Sequence, residues 1–225
     1  MKEALKILTW VSELNETNMY CVMEQESGKG IVIDPSDEKA ASEWKESLGL
    51  EAEYILLSHE HYDHIAALEA VRQMFCDAKV VASKECSERI QSPGGNLSKY
   101  FNVILEFQKE KYPQRNTDFR VEAYRGQPAD VTFEGRMQLD WRGHEIDLQE
   151  APGHSKGSIL VDVDGRYLFS GDTISYDYEL ITGFPGSSRR EYEEKTRPVL
   201  EGLDQQMKVY PGHGRSFVLK EAEKG

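Results

Sequence analysis

At 225 residues, with 39% hydrophobic and 10% aromatic side chains, the chain is long enough to bury one well-packed core and too apolar to be disordered. Its 27 lysines and arginines stand against 40 aspartates and glutamates, a net charge of -13 that repels polyanions and disfavours a nucleic-acid partner. Glu3, Lys6 and Glu13 interrupt the N-terminal apolar stretch, no run reaches membrane-spanning length, and the three cysteines fall outside any CxxC spacing, so one cytoplasmic domain over residues 1–225 with buried, reduced thiols is expected.

Leu5 to Val11, Asn18 to Glu24 and Lys29 to Asp34 read as successive strands, the last two joined by Glu26-Ser27-Gly28-Lys29-Gly30, a hairpin turn. Ser36 is placed to cap a helix from Asp37 to Leu48 that Gly49 stops. A short apolar strand, Glu53 to Leu57, then enters His59-Glu60-His61-Tyr62-Asp63-His64, after which Ile65, Leu68, Val71 and Phe75 recur at helical spacing. Lys79 to Ala82 predicts a strand, and Lys84 to Ile90 a short helix. From Gln91 to Asp130 the pattern weakens into a long irregular segment, which beside a candidate site predicts a lid or binding loop.

Val131 to Phe133, Met137 to Asp140 and Glu145 to Gln149 follow as strands, with His144 in the turn between the last two, where a surface position is expected. The third strand leads into Pro152-Gly153-His154-Ser155. Ser158 to Val163 and Arg166 to Phe169 predict a hairpin through Asp164-Gly165, its second arm ending at Ser170-Gly171-Asp172-Thr173. A helix over Ser187 to Gly202 has Ser188 as cap and Pro198 as a kink, and a last strand, Met207 to Tyr210, delivers Pro211-Gly212-His213-Gly214.

Five of the six histidines thus sit in three short loops, and Asp172 lies in a fourth. Neither core packing nor solubility gathers so many metal-competent side chains, so the pattern points to a metal centre. In extended chain residues two apart face the same side, so His59 and His61 can share one cation, and His154 would complete a three-imidazole site. The turn into the helix aims Asp63 and His64 elsewhere, toward a second cation that His213 joins, and Asp172 can place one oxygen on each ion. Two divalent cations held by neutral imidazoles and two carboxylates would lower the pKa of a shared water and welcome an acyl oxygen, which is hydrolytic chemistry. Asp63 is the candidate to orient or deprotonate that water. Beyond Asp172, Tyr176 is a candidate oxyanion donor and Tyr178 a substrate contact; Lys156 and Arg189 are candidates for an acidic substrate group.

The His59/His61/Asp63/His64 cluster, followed in order by His154, Asp172 and His213, resembles the metallo-β-lactamase superfamily over nearly the whole chain. That resemblance implies an α/β fold, a four-layer αβ/βα sandwich with a dinuclear site along one edge of its two sheets. The carboxylate at the bridging position, Asp172, together with Gly183-Phe184-Pro185-Gly186-Ser187 and Pro211-Gly212-His213-Gly214, is similar to the glyoxalase II branch rather than to β-lactamases that carry cysteine there. Longer glyoxalase II enzymes hold glutathione with a C-terminal helical extension, whereas this sequence reaches only Gly225 after His213, which counts against a glutathione thioester. The expected reaction is therefore hydrolysis of a small thioester, ester or lactone by two divalent ions, zinc by default and iron or manganese as alternatives, with no nucleic-acid or membrane partner and homodimerisation left open. The alternative is a mononuclear iron oxidoreductase similar to persulfide dioxygenases, with His59, His154 and Asp172 as ligands; the arginine those enzymes carry beyond the aspartate has no counterpart in Thr182-Gly183-Phe184. Flavodiiron proteins place a glutamate where His61 stands, and a non-catalytic metal-bound scaffold is the third class.

Overall fold

The computed structural model describes residues 4–111 and 118–222. Three strands open the chain, β1 (Leu5–Val11), β2 (Asn18–Glu24) and β3 (Lys29–Ile33), paired antiparallel as their hairpin spacing predicts. Helix α1 (Glu38–Leu48) follows, and Gly49 closes it in the left-handed region. Its cap is Asp37, whose carboxylate accepts from the Lys39 amide, rather than the expected Ser36. Strand β4 (Glu51–Leu56) runs parallel to β3 and leads into α2 (Tyr62–Ile65) and α3 (Leu68–Met74), then β5 (Lys79–Ser83) and α4 (Lys84–Ile90). The helical periodicity after His64 is therefore split into two short helices.

The weakly patterned segment contains structure that the sequence did not announce: a single 3₁₀ turn at Ser98–Tyr100 and helix α5 (Phe101–Lys111). The part of this segment at 112–117 lies outside the described residues. Strand β6 (Val131–Phe133) completes a six-stranded sheet in the order β1-β2-β3-β4-β5-β6.

The second half forms β7 (Arg136–Trp141), β8 (His144–Glu150), β9 (Ile159–Val163), β10 (Tyr167–Gly171), helices α6 (Arg189–Glu191) and α7 (Arg197–Gly202), β11 (Lys208–Pro211) and β12 (Phe217–Val218). Its sheet order is β12-β11-β10-β9-β8-β7. Asp164 and Gly165 both have positive φ in the tight turn that the Arg166 amide closes on Val163 O between β9 and β10. Ser188 caps α6 as expected, and the helix passes through one π turn, Tyr192–Thr196, into α7, where Pro198 stands in the first turn.

Apolar faces dictate the layering. Val22, Ile31 and Ile33 of the first sheet meet Ile146, Val161 and Phe169 of the second in a shared core between the sheets. The opposite face of the first sheet packs Val32, Ile55 and Val80 against Trp44, Leu68 and Val71 of its helices, and the outer face of the second packs Leu168 and Val209 against Leu200. The result is the expected four-layer αβ/βα sandwich of the metallo-β-lactamase type.

Strand direction then decides where the loops go. Strands β8 and β10 flank β9 antiparallel and so run the same way, and β11 is parallel to β10. All three deliver their C-terminal loops to one edge. There Asn18 donates its amide to Gly212 O at 2.7 Å and Thr17 bridges to His213, joining the start of β2 to the second sheet.

Two expectations outside the site are corrected. His144 is buried, with Nδ1 2.6 Å from Asp164 Oδ2, because it is the first residue of β8, paired with Trp141 of β7, and not part of the turn. Cys21 and Cys86 are buried as expected but Cys76, at the end of α3, is exposed.

Candidate metal centre

The loop after β4 places His59, His61, Asp63 and His64; those after β8, β10 and β11 bring His154, Asp172 and His213 to meet them. The side chains sort into groups whose ligand atoms lie within 4.8 Å of one another: His59, His61 and His154 in one, Asp63, His64 and His213 in another. These are the two sets expected from the sequence. His154 Nε2 and His61 Nδ1 converge to 2.9 Å, and His213 Nε2 stands 3.3 Å from Asp63 Oδ2.

Asp172 lies between the groups and reaches both. Its Oδ2 is 3.4 Å from His154 Nε2 and 3.5 Å from His213 Nε2, so a single oxygen faces both, while Oδ1 faces His64 Nε2 at 3.4 Å.

The donor set tests whether cations fit here. His59 Nε2, His61 Nε2, His64 Nε2 and Asp172 Oδ1 are buried with no hydrogen-bond partner. Orphaned buried polar atoms cost about 1–3 kcal/mol each, and four within one cluster is the condition that bound cations relieve. Nitrogen-rich groups with carboxylates suit zinc, iron or manganese. The residues fit a divalent metal centre.

Electrostatics in the ion-free chain divide the five histidines into two kinds. Burial, reinforced by neighbouring imidazoles, holds His59 and His61 well below the ordinary histidine range, and burial also lowers His154. Those three are neutral ligands at neutral pH, as coordination needs. Burial opposes charge on His64 and His213 too, but Asp172 and Asp63 outweigh it and raise both. The carboxyls of Asp63 and Asp172, which burial alone would push up, are held well below their ordinary range by His64 and His213.

A second ring of groups, not foreseen from the sequence, fixes which nitrogen each ring presents. Asp34 accepts from Ser58 N at 2.7 Å and Ser58 Oγ at 2.6 Å, and its Oδ2 lies 2.9 Å from His64 Nδ1. Ser58 Oγ is in turn 3.0 Å from His59 Nδ1. One buried carboxylate therefore orients a histidine in each group and leaves Nε2 of both rings facing the centre. His154 Nδ1 lies 3.1 Å from Ile181 O, and Asp63 Oδ2 accepts from Asn15 Nδ2 and Thr17 Oγ1 at 2.8 and 3.0 Å.

Glycines let the loops come this close. A Cβ on Gly212 would collide with Asp172 and His64, one on Gly157 with Glu60 and the Cys86 backbone, and Gly171 has a φ of +48° against Ser58.

A cavity of about 610 Å³ opens over the centre, lined by His61, Asp63, His154, Asp172 and His213 on its floor. Tyr178 lines it as expected. Tyr176 does not, being stacked under the Arg215 guanidinium at 3.8 Å and beside Phe217. Lys156 is exposed outside the cavity, and Arg189 pairs with Glu193 on α6 and the turn that follows it. Among the described residues no helix is long and apolar enough to cross a membrane.

Comparison with known proteins adds the following. The family model described as the metallo-beta-lactamase superfamily matches residues 16–213. A probable metallo-hydrolase of Streptococcus pyogenes is 27% identical over 96% of this chain and 86% of its own length. The acyl-coenzyme A thioesterase MBLAC2 of Bos taurus is 37% identical over 46% of this chain, a match that spans only 37% of that protein. A hydroxyacylglutathione hydrolase of Shewanella baltica is 24% identical over 95% of this chain and 65% of its own length, so the matches to both named thioester hydrolases cover less than two thirds of those proteins. Among solved structures, the BLEG-1 B3 metallo-beta-lactamase superposes with a TM-score of 0.75 at 22% identity, covering 96% of this chain and 95% of that one. ETHE1 from Myxococcus xanthus superposes with a TM-score of 0.70 at 19% identity, covering 96% and 80%. At these identities the superpositions speak for the fold.

Proposed function

The chain belongs to the metallo-beta-lactamase superfamily, and from that premise we propose that it is a metal-dependent hydrolase of a small thioester, ester or lactone, working with two divalent cations, zinc by default. One observation carries the reading: two complete groups of ligand atoms share Asp172 beneath an open cavity. His59, His61 and His154 would hold one cation, Asp63, His64 and His213 the other, with Asp172 on both. When bound, such a pair supplies Lewis acidity toward an acyl oxygen and a lowered pKa for water in the site.

The chain's own groups do the rest. Asp34, through Ser58 and His64, locks the imidazoles so that Nε2 is the free donor in each group. Asp63 stays ionised well below neutrality and is already engaged by Asn15 and Thr17, which suits an orienting acceptor better than a store for the proton. The apolar side chains around the cavity exclude competing water from the acyl group. Tyr178 is retained as a substrate contact, while Tyr176, Lys156 and Arg189 stand away from the cavity and have no part in this reading.

The named relatives include two thioester hydrolases, which supports acyl-thioester chemistry over phosphoesters. The mononuclear iron alternative needs only His59, His154 and Asp172 and leaves Asp63, His64 and His213 gathered without purpose. The test is a hydrolysis screen over thioesters, lactones and phosphoesters with metal-reconstituted protein and Asp172→Ala as control. Cleavage of at least one acyl class, lost in the variant, is expected; two bound metals with no acyl substrate cleaved would overturn the proposal.

A further inference from the structure

The cavity over the centre is strongly asymmetric in chemistry. Its floor is imidazole and carboxylate, but two stretches of its lining are apolar. One is α5, on which Phe101, Ile104 and Phe107 recur three residues apart and so share a side of the helix. The other is Leu180, Ile181 and Phe184. The inner end of this trench is pinned to the centre from both sides: the Tyr62 ring, next to His61 and Asp63, packs 5.5 Å from Phe101, and Phe184 packs 5.8 Å from His61. The outer end opens to water, where Phe107 is 68% and Ile181 43% exposed. Large apolar side chains left exposed beside a site read as a binding surface.

From Phe101 to Phe107 the helix rises about 9 Å, the length of an extended acyl chain of about eight carbons. Charge narrows the occupant further. Asp177 and Glu179 line the cavity in addition to the carboxylates of the floor, and no lysine or arginine lines it among the described residues. On the hydrolase reading above, we infer that the trench between α5 and Leu180–Phe184 selects substrates whose acyl group is an uncharged aliphatic chain of about eight carbons, laid along Phe101, Ile104 and Phe107 with its carbonyl toward the centre.

The experiment is a chain-length series of N-acetylcysteamine thioesters from acetyl to dodecanoyl, with an octanoyl analogue carrying a terminal carboxylate. Each added methylene raises kcat/KM about two- to fourfold up to about eight carbons, after which the gain stops because further chain lies in solvent. The terminal carboxylate abolishes most of that gain. Phe107→Asp, at a position exposed enough to leave folding intact, lowers the octanoyl-to-acetyl ratio about tenfold or more, whereas Val103→Asp, at the 58% exposed residue that does not line the cavity, leaves the ratio at its original value.

Equal rates along the series, or a carboxylate-tipped chain cleaved as fast as octanoyl, would overturn the inference and leave the hydrolase reading standing. Should no acyl thioester be cleaved at any length, the ester and lactone arms of the hydrolysis screen decide the hydrolase reading, and calorimetric binding to metal-free protein decides the trench separately. Octanoyl thioester binding about tenfold or more tighter than acetyl supports it, and equal affinity refutes it.

Discussion

Removing Arg89 tests how the metal loop is held. Glu60, between His59 and His61, is fully buried. Its Oε1 takes the Arg89 Nε at 2.5 Å, and its Oε2 takes Ser155 Oγ at 2.8 Å and the Gly157 amide at 3.2 Å. Arg89 also donates Nη2 to Gly95 O and Pro185 O, at 3.3 and 3.1 Å. One ion pair thus joins the His59 loop, the His154 loop, the chain leading to α5 and the Phe184 loop.

Taking away one partner of a buried pair leaves the other charge uncompensated, at about 3–5 kcal/mol. Arg89 is 20% exposed and Glu60 keeps two hydrogen bonds, so the lower figure applies, about 3 kcal/mol for Arg89→Met. At about 2–4 °C per kcal/mol for a chain of this size, the melting midpoint falls by about 6–12 °C. Glu60→Gln combined with Arg89→Met removes both charges and recovers at least half of the loss. Thermal melts followed by circular dichroism, on all three variants, decide the matter. A drop under about 2 °C for Arg89→Met, or a double variant weaker than either single one, would show that the pair is not what secures the loop.

Asp34→Asn puts an amide against His64 Nδ1 and Ser58 Oγ, so the ring must give up the tautomer that presents Nε2; competition with a chelator should show a loss of about 10–100-fold in metal affinity. Unchanged affinity would mean that Asp34 does not orient the ligands. Burial pushes the Asp162 carboxyl up to about 6, so the folded chain keeps a proton that the unfolded chain has released, and stability is lost as pH rises through that value. Discounted for its partial exposure, relief of that cost by Asp162→Asn is about 1 kcal/mol, a rise of about 2–4 °C near pH 8 that vanishes near pH 4. A gain of equal size at both pH values would contradict that sign.

Much of the centre was legible because its chemistry is local. His59-Glu60-His61-Tyr62-Asp63-His64 carries its ligand spacing within six residues, and the strands before His154, Asp172 and His213 announce their loops by apolar runs bounded by glycine. What escaped depends on contacts distant in sequence. Asp34 reads as the end of a strand, and only folding sets it beside Ser58 and His64; its own φ of +53° has no sequence signature. Glu60 lies inside the motif, but its partner Arg89 sits 29 residues on. Helix α5 has no clear stripe in the sequence because Phe107 lines the cavity and Val103 is exposed outside it, which blurs the helical pattern. Tyr176 is near Asp172 in sequence yet turned toward Arg215 and Phe217 in space, which proximity along the chain cannot reveal.

The central claim is that seven side chains hold two cations sharing Asp172, and counting metal answers it most directly. Inductively coupled plasma mass spectrometry on reconstituted, desalted protein should find two divalent ions per chain, about one after His154→Ala and fewer than two after Asp172→Ala. A single ion in the unaltered protein, or two retained after Asp172→Ala, would contradict a shared dinuclear centre.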